Sequence, residues 1–465
     1  MGGYNVVLLT IDCLRYDRCG FNGKKPSPTP FLDSLAEKST VWSKAYSTGP
    51  MTPESVPGIL AGLHSHNSAQ MNDDIALKSI PDNQPTIASW LSDLGYKTYA
   101  ILSNTHLTSR RNYGIGFDVF WNPLETDIES ANPMQSGRSR FQKSITHCRK
   151  QMRSNSNLLS PYSVGYLLYR FYQSRNSWPT PNAEHVLEKT QSAIDDASSP
   201  FFIWSHFMDV HGPYHPNTFC DLQTYKGMIA DCGRASGNHT KWLDDAYNST
   251  ISYVDIHINK IVDMLKAAEQ WENTILVVTA DHGEALFDRG WIGHTARHYL
   301  FDELTHVPLL VRYPNRKARR SDNPISLAWL NEIIAEAIDE DAPDFPSTSN
   351  QPSLIENEDR GQVPLADGLD EQGHSVAAIS HSGKYIAHSS GETNEIRSPV
   401  WHENSTYYHL LSDPDEQKPL SGECSDEKTT AAARQELTSK RQLPSLANPL
   451  SDSARERLQD IGYLV

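Results

Sequence analysis

Four short apolar runs in this 465-residue chain, "NVVLLTI", "KTYAILS", "PFFIWSHF" and "TILVVTA", each stop in residues able to hold a metal or a proton. Apolar stretches of strand length without polar alternation are buried on both faces, and that demands a mostly parallel sheet covered by helices. Helical patterns stand between them. "TPFLDSLAEKSTVW" reads as a helix and "TIASWLSDLG" as one closed by Gly95, while Tyr247, Ile251, Val254, Ile258, Ile261 and Leu265 recur at the spacing of one helix face. The alternation predicts an α/β fold.

Net charge narrows the partners. At −16 the chain lacks the basic surface that nucleic acid or an anionic membrane requires. No apolar stretch approaches the roughly 20 residues of a membrane span. The first strand follows almost directly on Met1, without a basic segment or cleavage site, so neither a signal peptide nor a span is expected. Cys13, Cys19, Cys148, Cys220, Cys232 and Cys424 lack CxxC spacing and are expected as free thiols in a cytoplasmic protein, with Cys220 and Cys232 the one pair to check.

Three segments divide the chain. Residues 1–335 read as the catalytic α/β unit, interrupted at about 124–182 by a polar insertion whose basic run, Arg138 to Arg153, is expected to be a solvated face dispensable for chemistry. Residues 336–373, rich in Asp, Glu, Pro and Ser, read as an acidic linker or loop. A smaller unit is expected over 374–465.

The polar residues at the strand ends carry the chemistry. Asp12 follows the first run, Asn104 and His106 the second, Asp209 and His211 the third, and Asp281 and His282 the fourth. Ligands of open parallel sheets bind at the carboxyl ends of the strands, so these groups should gather along one edge. Singly, each is an ordinary cap or loop residue; the recurrence points to a site. Two carboxylates and an imidazole suit a divalent cation.

In "TGPMTPESVPGILAGLHSH", Thr52 is placed to cap a helix that has Pro53 in its first turn. A hydroxyl there also faces an end that favours an anion, and a nearby metal would activate it for attack. Ser55 is the competing nucleophile.

These residues resemble the sulfatase family of the alkaline phosphatase superfamily. "NVVLLTIDCLRYD" resembles the opening strand with its metal aspartate, "TPESVPGILAGLH" the nucleophile motif, "SNTHLT" the segment "GKWHLG", and "HFMDVHGPYHP" the "H-x-P-Y" substrate site. "VVTADHGEAL" is similar to the metal motif "SDHGE", and "HVPLLVRYP" and "YYHLLSDPDEQKPL" to two later signatures. The order is the family's throughout. The departures lie in the site: Thr52 stands at the Cys or Ser that becomes formylglycine, Val56 at an arginine, Asn104 at a sulfate-contacting lysine and Cys13 at the second metal aspartate.

The resemblance implies an α/β/α sandwich around a large, mostly parallel mixed sheet, with a small C-terminal α+β subdomain. It implies one divalent cation, Ca²⁺ by family, with Mn²⁺ or Zn²⁺ as alternatives, on Asp12, Asp281 and His282. Thr52, His106 and His211 would be catalytic, and Asn104, Asp209, His294 and His298 would contact substrate. The activity implied is hydrolysis of a small anionic ester, a sulfated glycan or aryl sulfate, or a closely related phosphate ester. The rivals are a phosphodiesterase or phosphotransferase without sulfatase activity, and a weakened sulfatase-fold binding protein.

Overall fold

A computed structural model of the chain describes residues 3–71, 74–125, 180–198, 200–212, 214, 240–294, 298–338, 362–370, 373–390, 400–401, 405–422, 425–438 and 445–446. The basic run, most of the insertion, Cys148, Cys220, Cys232 and Cys424 lie outside them. Cys13 and Cys19 are free thiols. No described helix is long and apolar enough to cross a membrane.

The main sheet contains β1 (Asn5–Ile11), β2 (Thr40–Tyr46), β3 (Lys97–Ile101), β4 (Val119–Trp121), β5 (Phe201–Phe207), β6 (Thr274–Ala280), β7 (His306–Arg312) and β8 (Arg319–Ser321). Their spatial order is β8-β2-β7-β6-β1-β5-β3-β4, with Ile325–Ser326 as a ninth strand beside β2. All seven residues of β1, β5 and β6 are buried. These three central strands run parallel, while β7 is antiparallel to β6 and β2. Helices α1 (Pro30–Ala36), α2 (Thr52–Ala61), α3 (Ile87–Asp93), α4 (Ala183–Asp196), α5 (Thr240–Ala267) and α6 (Leu330–Ile338) flank it. The observed architecture is the expected mixed, mostly parallel sheet between helices.

Register makes the functional edge. Ile11 pairs with Phe207 on one side and Ala280 on the other, so the next residues, Asp12, Met208 and Asp281, emerge side by side. The Asp12 N–H donates to the Phe207 carbonyl at 2.9 Å, holding that level one residue beyond the ladder.

Two local expectations change. The segment "TPFLDSLAEKSTVW" is helical only to Ala36; Thr40, Val41 and Trp42 open β2, because β-branched and aromatic residues fit a pleat between neighbours. Thr52 is the first helical residue rather than the cap, which is Met51. The α2 helix ends where Gly62 turns left-handed at φ 67° and its N–H closes on the Gly58 carbonyl at 2.9 Å.

The C-terminal sheet is antiparallel, with β9 (Leu365–Asp370), β10 (Gly373–Ile379), β11 (Lys384–Ser390), β12 (Thr406–Tyr408) and β13 (Leu420–Ser421) in order, and Val400–Trp401 beside β11. It begins before residue 374, so part of the expected linker is strand; Asp367 within it is buried, which its polar sequence conceals. Alternation sorts its faces. Ala377 and Ile379 pack with Tyr46 and Leu300 toward the main unit, while Val376 and Ala378 pack with Ala433 and Leu437 of α7 (Glu427–Thr438).

A buried ion group joins the two sheets. Lys384 Nζ on β11 lies 2.5 Å from Asp302 Oδ1 and 2.8 Å from Glu416 Oε1, with Lys384 and Glu416 side chains fully buried. Removing the cation leaves the buried Glu416 and the part-buried Asp302 with only the more distant Arg289 and His306 to pair with among the described residues. Lys384→Met should destabilise the protein by about 3 to 5 kcal/mol, measured by urea unfolding. Equal stability would show that these charges are solvated.

Candidate active site and metal centre

The strand ends bring a dense polar cluster together. Asp12 is fully buried and accepts from Asn104 Nδ2 at 2.8 Å, from the Cys13 thiol at 3.0 Å and from the Thr52 hydroxyl at 3.3 Å. His206, on β5, places Nε2 3.3 Å from the same carboxylate. Thr52 Oγ1 is also 3.3 Å from His282 Nε2 and 3.4 Å from Asn104 Nδ2. The N–H groups of Glu54 and Ser55 close on the Met51 carbonyl, and Pro53 has none, so the start of α2 offers an anion little beyond Thr52 itself.

His282 has a defined tautomer. Its Nδ1 is 2.8 Å from the Gly283 carbonyl, which can only accept, so the Nε2 lone pair faces Asp12 Oδ1 and Asp281 Oδ2, each 3.6 Å away. A backbone partner on the second nitrogen is how metal-binding imidazoles are aimed. Gly283 is required here by close packing, since a Cβ would meet the Glu303 carbonyl at 2.1 Å. Ser55 donates its hydroxyl to the Asp281 carbonyl, which commits it to holding the strand end.

The electrostatics ask for a cation. Burial pushes the Asp12 carboxyl up, but the hydrogen bond from His206 leads the interactions that hold it well below the usual carboxylate range. Asp281 is raised, first by burial and then by the negative Asp12 beside it. Candidate ligand atoms of Asp12, His206 and Asp281 lie within 4.8 Å of one another, as do those of Asp12, Cys13 and His282. Two buried carboxylates with imidazoles between them fit a divalent ion.

A second tier continues the cluster. Cys13, left-handed at φ 64°, puts Sγ 3.6 Å from His294 Nδ1. His294 lies 3.2 Å from Glu284 Oε1, and its ring centroid is 4.8 Å from that of His211. Burial disfavours charge on His294, yet Glu284 prevails and raises its pKa; burial, aided by the neighbouring His294 and His282 and opposed by Asp12, takes His211 down to about 4.

The other expected site residues sit differently. His106 Nδ1 accepts from Arg111 at 2.7 Å, so its proton is on Nε2. His298 places Nδ1 2.6 Å from Ser375 Oγ, a bond leading out of the cluster to the C-terminal sheet. Asp209 accepts from the Ala183 N–H at the start of α4, and burial pushes its carboxyl up to about 7. Its raised folded value means stability held at low pH and lost as pH rises through about 7. Asp209→Asn should therefore make the fall in stability expected between about pH 4 and 7 shallower, with Glu416 and Asp255 supplying the remainder. Urea titrations at each pH read this, and identical slopes would remove Asp209 as a source.

His206 and Glu284 belong to the cluster without having been anticipated. His206 had a signal: it is a polar residue inside a strand whose every other sign is burial. Glu284 had only its place after "DHG".

The family model for Sulfatase matches residues 4–339. An uncharacterized sulfatase, YidJ, of Escherichia coli strain K12 is 23% identical over 366 residues, covering 73% of this chain and 69% of that protein. Mouse iduronate 2-sulfatase is 22% identical over 349 residues, and the match spans 68% of this chain but 60% of the relative. A structure solved with its substrate D-glucosamine-2-N,6-O-disulfate shares the fold, with a TM-score of 0.61 and 13% identity over 98% of each chain. With that match covering most of its length, the chain belongs to the sulfatase family, the sulfuric ester hydrolases.

Proposed function

We propose that the protein hydrolyses the sulfate ester of a small anionic substrate, a sulfated sugar or aryl sulfate, by in-line attack of Thr52. The observation that carries this is the Thr52 hydroxyl, 3.3 Å from both Asp12 Oδ2 and His282 Nε2. Asp12, Asp281 and His282 would hold a divalent cation, with His206 aiming Asp12. Calcium follows from the family, while the imidazoles suit Mn²⁺ or Zn²⁺ as well. Bound there, the cation would favour the alkoxide of Thr52 and offset charge on a nonbridging oxygen.

The protein's own groups carry the remaining steps. Thr52 Oγ1, its proton passed to water, bonds to sulfur as the bond from sulfur to the alcohol oxygen breaks, with the Asp12 carboxylate orienting it. His294, kept protonated by Glu284, supplies a proton to the departing oxygen, and His211 beside it contacts the ester. His106 Nε2–H donates to an ester oxygen. Water then attacks sulfur, passing a proton to the now neutral His294, and hydrogen sulfate leaves as the Thr52–sulfur bond breaks and Thr52 Oγ1 regains a proton.

A phosphodiesterase is the second reading, favoured by Asn104. A neutral amide beside one cation suits a singly charged ester, which a sulfate monoester and a phosphodiester share and a doubly charged phosphate monoester does not. Rates on aryl sulfate, aryl phosphate and a bis-aryl phosphodiester, after chelation and after return of Ca²⁺, Mn²⁺ or Zn²⁺, decide it. Cation-dependent aryl sulfate hydrolysis is expected to dominate; phosphodiester preference supports the second reading, and inertness toward all three supports a binding protein.

A further inference from the structure

Away from the active site, three imidazoles surround one carboxylate in the seam between the main unit and the C-terminal sheet. Asp367 of β9 is fully buried, and its Oδ2 lies 2.7 Å from His66 Nδ1 and 3.0 Å from His374 Nε2 of β10. His64 Nδ1 stands 3.7 Å from Asp367 Oδ1. Backbone N–H groups of Ser65 and His66 donate to the same carboxylate at 2.8 and 3.0 Å, fixing its orientation. The His64 and His66 rings are 5.7 Å apart and those of His66 and His374 5.6 Å. We propose that His66, Asp367 and His374, with His64 completing the set, form a second, structural site for Zn²⁺.

Three observations converge on a metal. Candidate ligand atoms of His66, Asp367 and His374 lie within 4.8 Å of one another, and all three residues are buried. These supply three donors, and His64, outside that group but with Nδ1 3.7 Å from Asp367 Oδ1, would bring the set to the four that zinc takes. The second nitrogen of His66 faces Glu436 of α7, which is the arrangement that orients a zinc-binding imidazole: Nδ1 to the metal, Nε2–H to a carboxylate. Charge agrees, because the buried Asp367 and the half-buried Glu436 balance one Zn²⁺ with all imidazoles neutral. His66 thus stands between two carboxylates, Asp367 on one ring nitrogen and Glu436 on the other.

The site would act on the nucleophile helix. His64 and His66 follow its C-terminal end, and the Asp367 N–H donates to the Thr48 carbonyl, just ahead of Thr52, at 2.9 Å. One zinc would thus tie both flanks of α2 to the C-terminal sheet.

The test uses the full-length Asp281→Asn protein, in which the active-site ion is weakened, and reads the second site as the part of the response that its own variants remove. Cobalt titration should produce the intense visible absorption of a tetrahedral Co²⁺ centre at one equivalent, displaced by zinc, with thermal stability rising on zinc addition. Adding His374→Ala should remove both responses, and Asp367→Asn, which keeps the shape of the side chain, should do so if the alanine variant misfolds. Absence of the cobalt spectrum, or its persistence in both variants, overturns the proposal; a folded protein with no zinc response leaves His66 as a protonated clamp between two carboxylates.

Discussion

Thr52→Val is expected to fold, to retain its metal and to lose turnover on a small sulfate ester by a factor on the order of 10³ or more. Valine keeps the branched shape of threonine at the start of α2. No helix cap is lost, because the Thr52 side chain bonds Asp12 and His282 rather than the helix N–H groups. Thr52→Ser retains a hydroxyl and should keep measurable activity. Ser55→Ala should lose far less, since that hydroxyl is donated to the Asp281 carbonyl. If Thr52→Val turns over like the wild type and Ser55→Ala is dead, the two roles are reversed.

Asp281→Asn separates the cation from the fold. In the metal-free protein Asp12 and Asp281 are buried like charges, with burial and the Asp12 charge both raising Asp281. The neutral variant relieves that repulsion, so without metal it should unfold at a higher temperature than wild type. With metal the order reverses: wild type gains stability by mass action from active-site binding, and the variant gains little there. Turnover should fall about a thousandfold, since a catalytic cation contributes several kcal/mol to a charged transition state. Calorimetry with and without added cation reads the crossing of the two curves. Parallel curves would show that Asp281 is not a ligand.

The strands and their terminal residues were legible because the signal is local: a run buried on both faces is visible in composition, and register then places Asp12 beside Asp281 without further information. Helix α5 was legible for the same reason, through six apolar residues at helical spacing. In sequence Thr52 reads as cap and nucleophile together because the motif carries the same residue types in either role, and only the positions of Asp12 and His282 show that its hydroxyl bonds them and caps nothing. The β2 strand was hidden behind a helical pattern that its β-branched residues end. Least legible was the seam. Asp367 lies 301 residues from His66 in a stretch whose composition reads as linker, and nothing local announces that both are buried.

The central claim is that the Thr52 oxygen takes up the sulfo group. Its most direct measurement is mass spectrometry of the metal-loaded enzyme, quenched in acid during turnover of an aryl sulfate and digested. The account predicts a mass increase of one SO₃ group on the peptide containing Thr52, fragmenting to that residue, and absent from Thr52→Val. An unmodified Thr52 peptide during steady turnover, or the same increase located on Ser55, would contradict it.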